Sequence, residues 1–123
     1  MAPAQQITNK HMKLKENWVE VPAGVGTSKR WTVKPGYYEV SSFGRIRNKK
    51  TKKLLGEGNY RTLITVKGDP YERLNILKSH LVYGSFKHCS TFGEKIYHLD
   101  GDEHNNAIWN LATYADLKEM RLV

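Results

Sequence analysis

Cysteine is almost absent from this chain. Cys89 alone cannot form an internal disulfide or a cysteine-based zinc cluster, which makes a reducing compartment the simplest home. Long apolar runs are missing too: no stretch of roughly 18 apolar residues occurs, and the first ten residues, MAPAQQITNK, lack the apolar centre of a secretory signal. The expectation is a soluble, intracellular protein with no membrane partner. Acidic residues are scarce in one half only. Residues 1–68 hold 14 Lys/Arg against 4 Asp/Glu, a net of +10, whereas residues 69–123 hold 6 against 8, a net of −2. A basic part that docks on a polyanion and a more acidic part that could seat a divalent cation are therefore expected.

What the chain does have is enough for one domain, or a small domain with an appended submodule. Its 123 residues are 39% hydrophobic, and three Trp, seven Tyr and three Phe supply large surfaces for a modest core. Three segments follow from composition: a basic lead-in at 1–15, a β-rich basic module at 16–68, and a mixed segment at 69–123. Asn17–Val21 alternates as a first strand. Pro22–Pro35 is a long loop or irregular hairpin around Trp31, Thr32 and Val33. In YYEVSSFGRIR, residues 37–47, two strand-like runs flank Ser41-Ser42-Phe43-Gly44, whose glycine suits a tight turn of positive φ.

Arg45, Arg47, Lys49, Lys50, Lys52 and Lys53 follow, with no acid between Glu39 and Glu57. That run reads either as a solvated edge protected against aggregation or as a β-ribbon lying along a nucleic acid. Tyr60–Lys67 alternates again and is expected to pair with the ribbon, adding Arg61 and Lys67 to its basic surface. Gly68-Asp69-Pro70 is a turn, Tyr71–Leu77 a strand, and Lys78–Phe86 a short helix facing inward through Leu81, Val82 and Phe86. His80 reads as a packed or surface residue. His88-Cys89 has no ligand partners at metal-binding spacing.

In the last third, Glu94–His98 reads as a strand, with turns at Asp100-Gly101-Asp102 and Asn105-Asn106. Trp109 is expected in the core, with Leu111 as an apolar anchor. A helix begins near Tyr114, capped by Thr113 and Asp116, with Leu117 and Met120 as its apolar edge. The spacing does not fit an aspartate-rich calcium loop.

His98-Leu99-Asp100-Gly101, Asn105-Asn106 and Asn110-Leu111 resemble the H-x-D-G, N-N and N-L pattern of HNH homing endonucleases of phage and introns. Tyr38–Arg47 is similar to the Y-E-V-S-N-x-G-R-[VI]-[RK] DNA-binding module that precedes the nuclease domain in such enzymes. Leu81–Phe86 resembles the L-V-A-x-A-F helix between them. The ordered set runs from Trp18 to Met120.

The resemblance implies an α+β protein: an N-terminal antiparallel β-ribbon or sheet module, a short helix, then a ββα-metal (HNH-like) element. It implies His98 as general base and Asn110 as the residue orienting its ring. It also implies a Mg2+ or Mn2+ ion stabilising phosphoryl charge, and a home in the cytoplasm of a phage-infected bacterial host. The chain departs from the pattern at four places. Tyr97 stands where an Asp, Asn or His ligand is expected, Glu119 takes the helix ligand position, and Ser79 and His80 replace a histidine and an arginine. Asp100 or Asp102 beside Glu119 could complete a ligand set. Asn105 and Asn106 read as turn formers, and Asn110 has a second use in stitching the loop through backbone bonds. Two functions follow: a metal-dependent nuclease acting on DNA, or a catalytically degenerate binding protein for DNA, RNA or a ribonucleoprotein such as a ribosome. A protein-binding inhibitor using exposed aromatics is a third.

Overall fold

The computed structural model describes residues 15–23, 25, 32–67, 72–91 and 93–123, with Thr32, Lys67 and Glu72 described by their backbone alone. The basic lead-in up to residue 14, Trp31 and the turn at Gly68-Asp69-Pro70 lie outside the described residues, as does the side chain of Lys67. The fold is α+β: a four-stranded antiparallel sheet and a three-stranded sheet built on a hairpin, then a helix and a small ββα-like element.

The first sheet has the order β1 (Trp18–Glu20), β3 (Tyr38–Ser41), β4 (Ile46–Asn48), β5 (Leu54–Leu55). Its inward positions alternate with its outward ones, as a half-buried sheet requires. Val19, Val40, Ile46 and Leu55 lie across the sheet in register and turn toward the core, while Glu20, Glu39, Arg47 and Leu54 form the adjacent outward row. The second sheet orders β2 (Thr32–Val33), β6 (Arg61–Lys67), β7 (Glu72–Leu77). Thr62, Ile64 and Val66 are buried, whereas Arg61 and Leu63 point out. Tyr38 ties the two sheets together, its hydroxyl accepting the Thr65 amide at 2.8 Å.

Against the first sheet and the C-terminal element packs α1 (Lys78–Lys87), burying Leu81 and Val82 completely in one core with Val40, Ile46, Ile64 and Val66, with Phe86 partly buried at the margin. Branched aliphatic side chains fill most of this core, as expected where pleated surfaces meet. His88, in a left-handed conformation with φ 54°, ends the helix, and the next residue, Cys89, is an exposed free thiol.

The C-terminal element is smaller than the sequence suggests. Of Glu94–His98 only Tyr97–His98 is strand (β8), because its partner β9 (Leu111–Ala112) offers two residues. A 3₁₀ turn at Ile108–Asn110 precedes β9, and α2 (Tyr114–Glu119) follows. Thr113 and Asp116 form the expected reciprocal cap: the Thr113 hydroxyl accepts the Asp116 amide and the Asp116 carboxylate accepts the Thr113 amide. Asp116 also accepts the Tyr83 hydroxyl, joining α2 to α1; partial burial and this carboxylate push the Tyr83 phenol up to about 12.

Two core expectations fail here. Met120 terminates α2 and is 46% exposed, so only Leu117 anchors the helix. Trp109 is 37% exposed, since the 3₁₀ turn rolls it outward until its ring meets Phe43 edge-on at 5.8 Å. That contact marks the junction between the halves of the chain. The β3–β4 turn sits on the C-terminal loop, the Ile108 amide donating to the Ser42 carbonyl at 2.9 Å.

Candidate nucleic-acid interface and the His98 site

The basic ribbon is less free than its sequence implies. On the outward face of the first sheet, Arg47 stacks over Trp18 at 3.7 Å and Arg45 lies 5.6 Å from the same ring. Arg45 pairs with Glu16, Lys49 with Glu20, and both Arg47 (2.8 Å) and Lys52 (3.2 Å) with Glu39. The hydrogen bond from Arg45 holds the Glu16 carboxyl below its ordinary range. At Glu39 burial works the other way, but the bonds from Arg47 and Lys52 win and hold it low as well. Four of the six ribbon cations are therefore matched by carboxylates from β1, the residues leading into it and β3. Lys50 and Lys53 are exposed and have no carboxylate partner among the described residues.

Tyr60–Lys67 does not pair with this ribbon. The edge of β4 is taken by β5, two residues that return immediately after the turn at Asn48–Lys53. Gly56 and Gly58, both at positive φ, then carry the chain to the other sheet, where β6 makes a six-pair register with β7. Arg61 consequently faces a different surface, a groove of about 710 Å³ between the sheets. Its lining includes Arg61, Leu63, Thr65, Arg73 and Asn75 of the hairpin, Tyr38, Asn48 and Leu55 of the first sheet, and Asn59 and Tyr60 of the connection. None of its lining residues carries a carboxylate. Arg73 and Asn75 were not among the expected binding residues. The alternation in ERLNIL, which turns Leu74 and Ile76 inward, is the signal that could have found them.

His98 closes β8 and borders a second cavity, about 240 Å³, with Ser79, His80, Lys95 and Glu103; Tyr60 lines this cavity and the groove alike. The structure separates the expected pair. His98 Nε2 is 2.8 Å from Asn106 Oδ1, and Asn106 is only 3% exposed. With the amide oxygen accepting, Nε2 is the donor in this bond. Asn110 does not hold the ring: its amide nitrogen donates to Asp100 Oδ1 and to the Asn105 carbonyl, both at 2.9 Å, and its oxygen accepts the Asp100 amide. The geometry gives Asn110 the stitching job and Asn106 the positioning one. Glycine makes the arrangement possible. Gly44, at φ +92°, packs so tightly on the loop that a Cβ there would lie 2.4 Å from the carbonyl carbon of Asn106.

The residues expected to hold a divalent ion do not fit one as they stand. Asp100 accepts from Asn105 at 2.7 Å, the Asp102 amide at 2.8 Å and Asn110 at 2.9 Å, bonds that bring its carboxyl down to about 2. Asp102 accepts the His104 amide. Glu119 is exposed at the end of α2, and the Tyr97 ring lies beneath the Lys95 ammonium at 4.9 Å. Among the described residues no three His, Cys, Asp or Glu side chains form a group able to hold a metal. His80 is occupied too, its Nδ1 2.8 Å from the Thr91 hydroxyl and its imidazole pushed toward the neutral form by burial.

Compared with known families, residues 16–73 are similar to a nuclease-associated module typical of homing endonucleases. The matching family is the NUMOD4 motif, a DNA-binding module of nuclease-associated proteins, and it spans a little under half of the chain. An HNH domain is not detected in the remainder. No curated protein and no solved structure matches the chain. Among the described residues no helix is long and apolar enough to cross a membrane.

Proposed function

We propose that the chain binds DNA through its NUMOD4 module and that the ββα-like element serves to brace that module. The observation that carries this reading is the coincidence of the motif at 16–73 with a strongly basic part of the chain, where 12 Lys/Arg stand against 6 Asp/Glu, a net of +6. Lysine and arginine set against phosphates release condensed counterions, which makes affinity fall with salt. The brace is supported by the Gly44–Asn106 contact and the Ser42–Ile108 bond, which fasten the β3–β4 turn to the C-terminal loop. Fluorescence anisotropy of the full chain with a labelled 20-base-pair duplex and a matched RNA hairpin, titrated with salt, tests the proposal. Tighter, salt-sensitive binding to the duplex is expected; equal affinity for both, or binding indifferent to salt, would overturn it.

A second reading, hydrolysis, is favoured by one observation: the His98 ring is fixed by Asn106 beside a cavity large enough for a phosphate group. A plasmid-nicking assay with Mg2+ and Mn2+ decides between the two. Since no metal-holding group is formed among the described residues, wild type and His98→Ala are expected to nick equally little. Metal-dependent nicking lost in His98→Ala would establish a nuclease and remove the brace reading.

A further inference from the structure

The two faces available to a duplex differ in what they have left to give. The ribbon face has four cations already paired with Glu16, Glu20 and Glu39, so engaging phosphates there means breaking ion pairs first. On the other surface, the outward side of the β6–β7 hairpin, no carboxylate is found among the described residues that line it. Its centre is the cross-strand pair Leu63 and Asn75, followed by the pair Thr65 and Arg73, with Arg61 two residues before Leu63 on the same side of the strand. Leu63 is 56% exposed, an aliphatic side chain in mid-strand that the fold leaves uncovered. Arg61 is held in place by its bond to the Asn75 carbonyl at 3.2 Å and by the Tyr60 ring 5.8 Å away.

These side chains match what the edges of base pairs offer in the major groove. Arginine donates to guanine O6 and N7, asparagine pairs with adenine N6 and N7, and an aliphatic group covers a thymine methyl. A two-stranded β-ribbon fits that groove in width. We propose that the outward face of the β6–β7 hairpin is the sequence-reading surface for duplex DNA, with Leu63 and Asn75 at its centre and Arg61 and Arg73 beside them. Seated there, the duplex brings one phosphate strand toward the β4–β5 turn, which follows the groove-lining Asn48 and carries the unpaired Lys50 and Lys53. Phosphate contacts from the turn set position and affinity; the hairpin sets sequence.

This assignment rests on the DNA-binding reading, and the experiment keeps the two apart. The full chain is used to select duplexes from a randomised pool, and the enriched duplex is compared with a scrambled one for wild type and variants. Leu63→Ala, Asn75→Ala, Arg61→Gln and Arg73→Gln all alter exposed positions, and circular dichroism checks that each variant is folded. Each is expected to lower the preference for the enriched duplex about tenfold while leaving binding to the scrambled duplex within a few-fold. Lys50→Gln with Lys53→Gln is expected to weaken both duplexes alike and leave the preference intact. Binding without any enriched sequence, or a preference that survives all four hairpin variants, overturns the hairpin assignment while DNA binding stands. Failure of wild type to bind the pool at all overturns the DNA-binding reading together with it.

Discussion

Asp100 shows how much of the His98 loop depends on a single carboxylate. Its oxygens gather Asn105, Asn110 and the Asp102 amide, and these bonds favour the charged form strongly enough to bring the group down to about 2. A carboxyl whose folded value is depressed contributes stability above its unfolded value, near 4, and loses that contribution as pH falls through the folded value. Thermal melts between pH 5 and pH 2 are therefore expected to show a decline that Asp100→Asn reduces; a variant curve parallel to wild type would deny Asp100 this role. The same loop shows where residue-scale reading of a sequence stops. That a strand closes at His98 was legible, because a short apolar run ending before Asp-Gly is a local pattern. Which asparagine reaches its ring was not: Asn106 and Asn110 lie in one loop, and only the path of the backbone through the 3₁₀ turn decides between them. Asn106→Ala removes a buried partner and is expected to cost about 1–3 kcal/mol in denaturant unfolding. The loss would be accompanied by a change in the His98 imidazole nitrogen shifts in NMR; unchanged shifts would mean that another group sets the tautomer.

At the level of elements, local signals carried and long-range pairing did not. The β3–β4 turn, the helix at Lys78–Lys87 and the Thr113–Asp116 cap all arise from residues within a few positions of one another, and all three form as their residues imply. The partner of β6 could not be chosen that way. Alternation shows that a segment is a strand, but Arg61–Lys67 fits beside the ribbon or beside β7 equally well until β5 takes the free edge of β4. The Gly44 turn joins both lessons: its positive φ was legible, its pressure against the Asn106 backbone was not. Gly44→Ala should suffer twice, from left-handed strain and from a Cβ with no room, for roughly 2–4 kcal/mol. A loss below about 1 kcal/mol by chemical denaturation would show that the C-terminal loop moves aside easily. Thr113→Ala at the cap of α2 tests a separate element and is expected to cost about 1 kcal/mol.

Across the whole molecule, formal charge overstates what a polyanion can use. The six ribbon cations looked like one uninterrupted patch because the carboxylates that meet them come from elsewhere in the chain: Glu16 and Glu20 each lie 29 residues before their partners, Arg45 and Lys49. Among the described residues, Lys50 and Lys53 of the ribbon turn and Arg61 and Arg73 of the groove have no carboxylate partner. Each phosphate neutralised on B-DNA contributes about 0.9 to the slope of log affinity against log salt, so with Arg61 and Arg73 on base edges the phosphate contacts of Lys50 and Lys53 imply a slope of about −2. Use of all six ribbon cations would instead bring it to about −5. Affinities measured from 50 to 300 mM salt, a range set roughly by where such slopes are readable, separate the two. A slope near −5 would mean that the ion pairs open on binding and that the ribbon face takes part. The Glu39→Gln variant then supplies the check: with Arg47 and Lys52 freed on a face turned away from the duplex, the slope should stay where it was, and any steepening would place that face against the DNA.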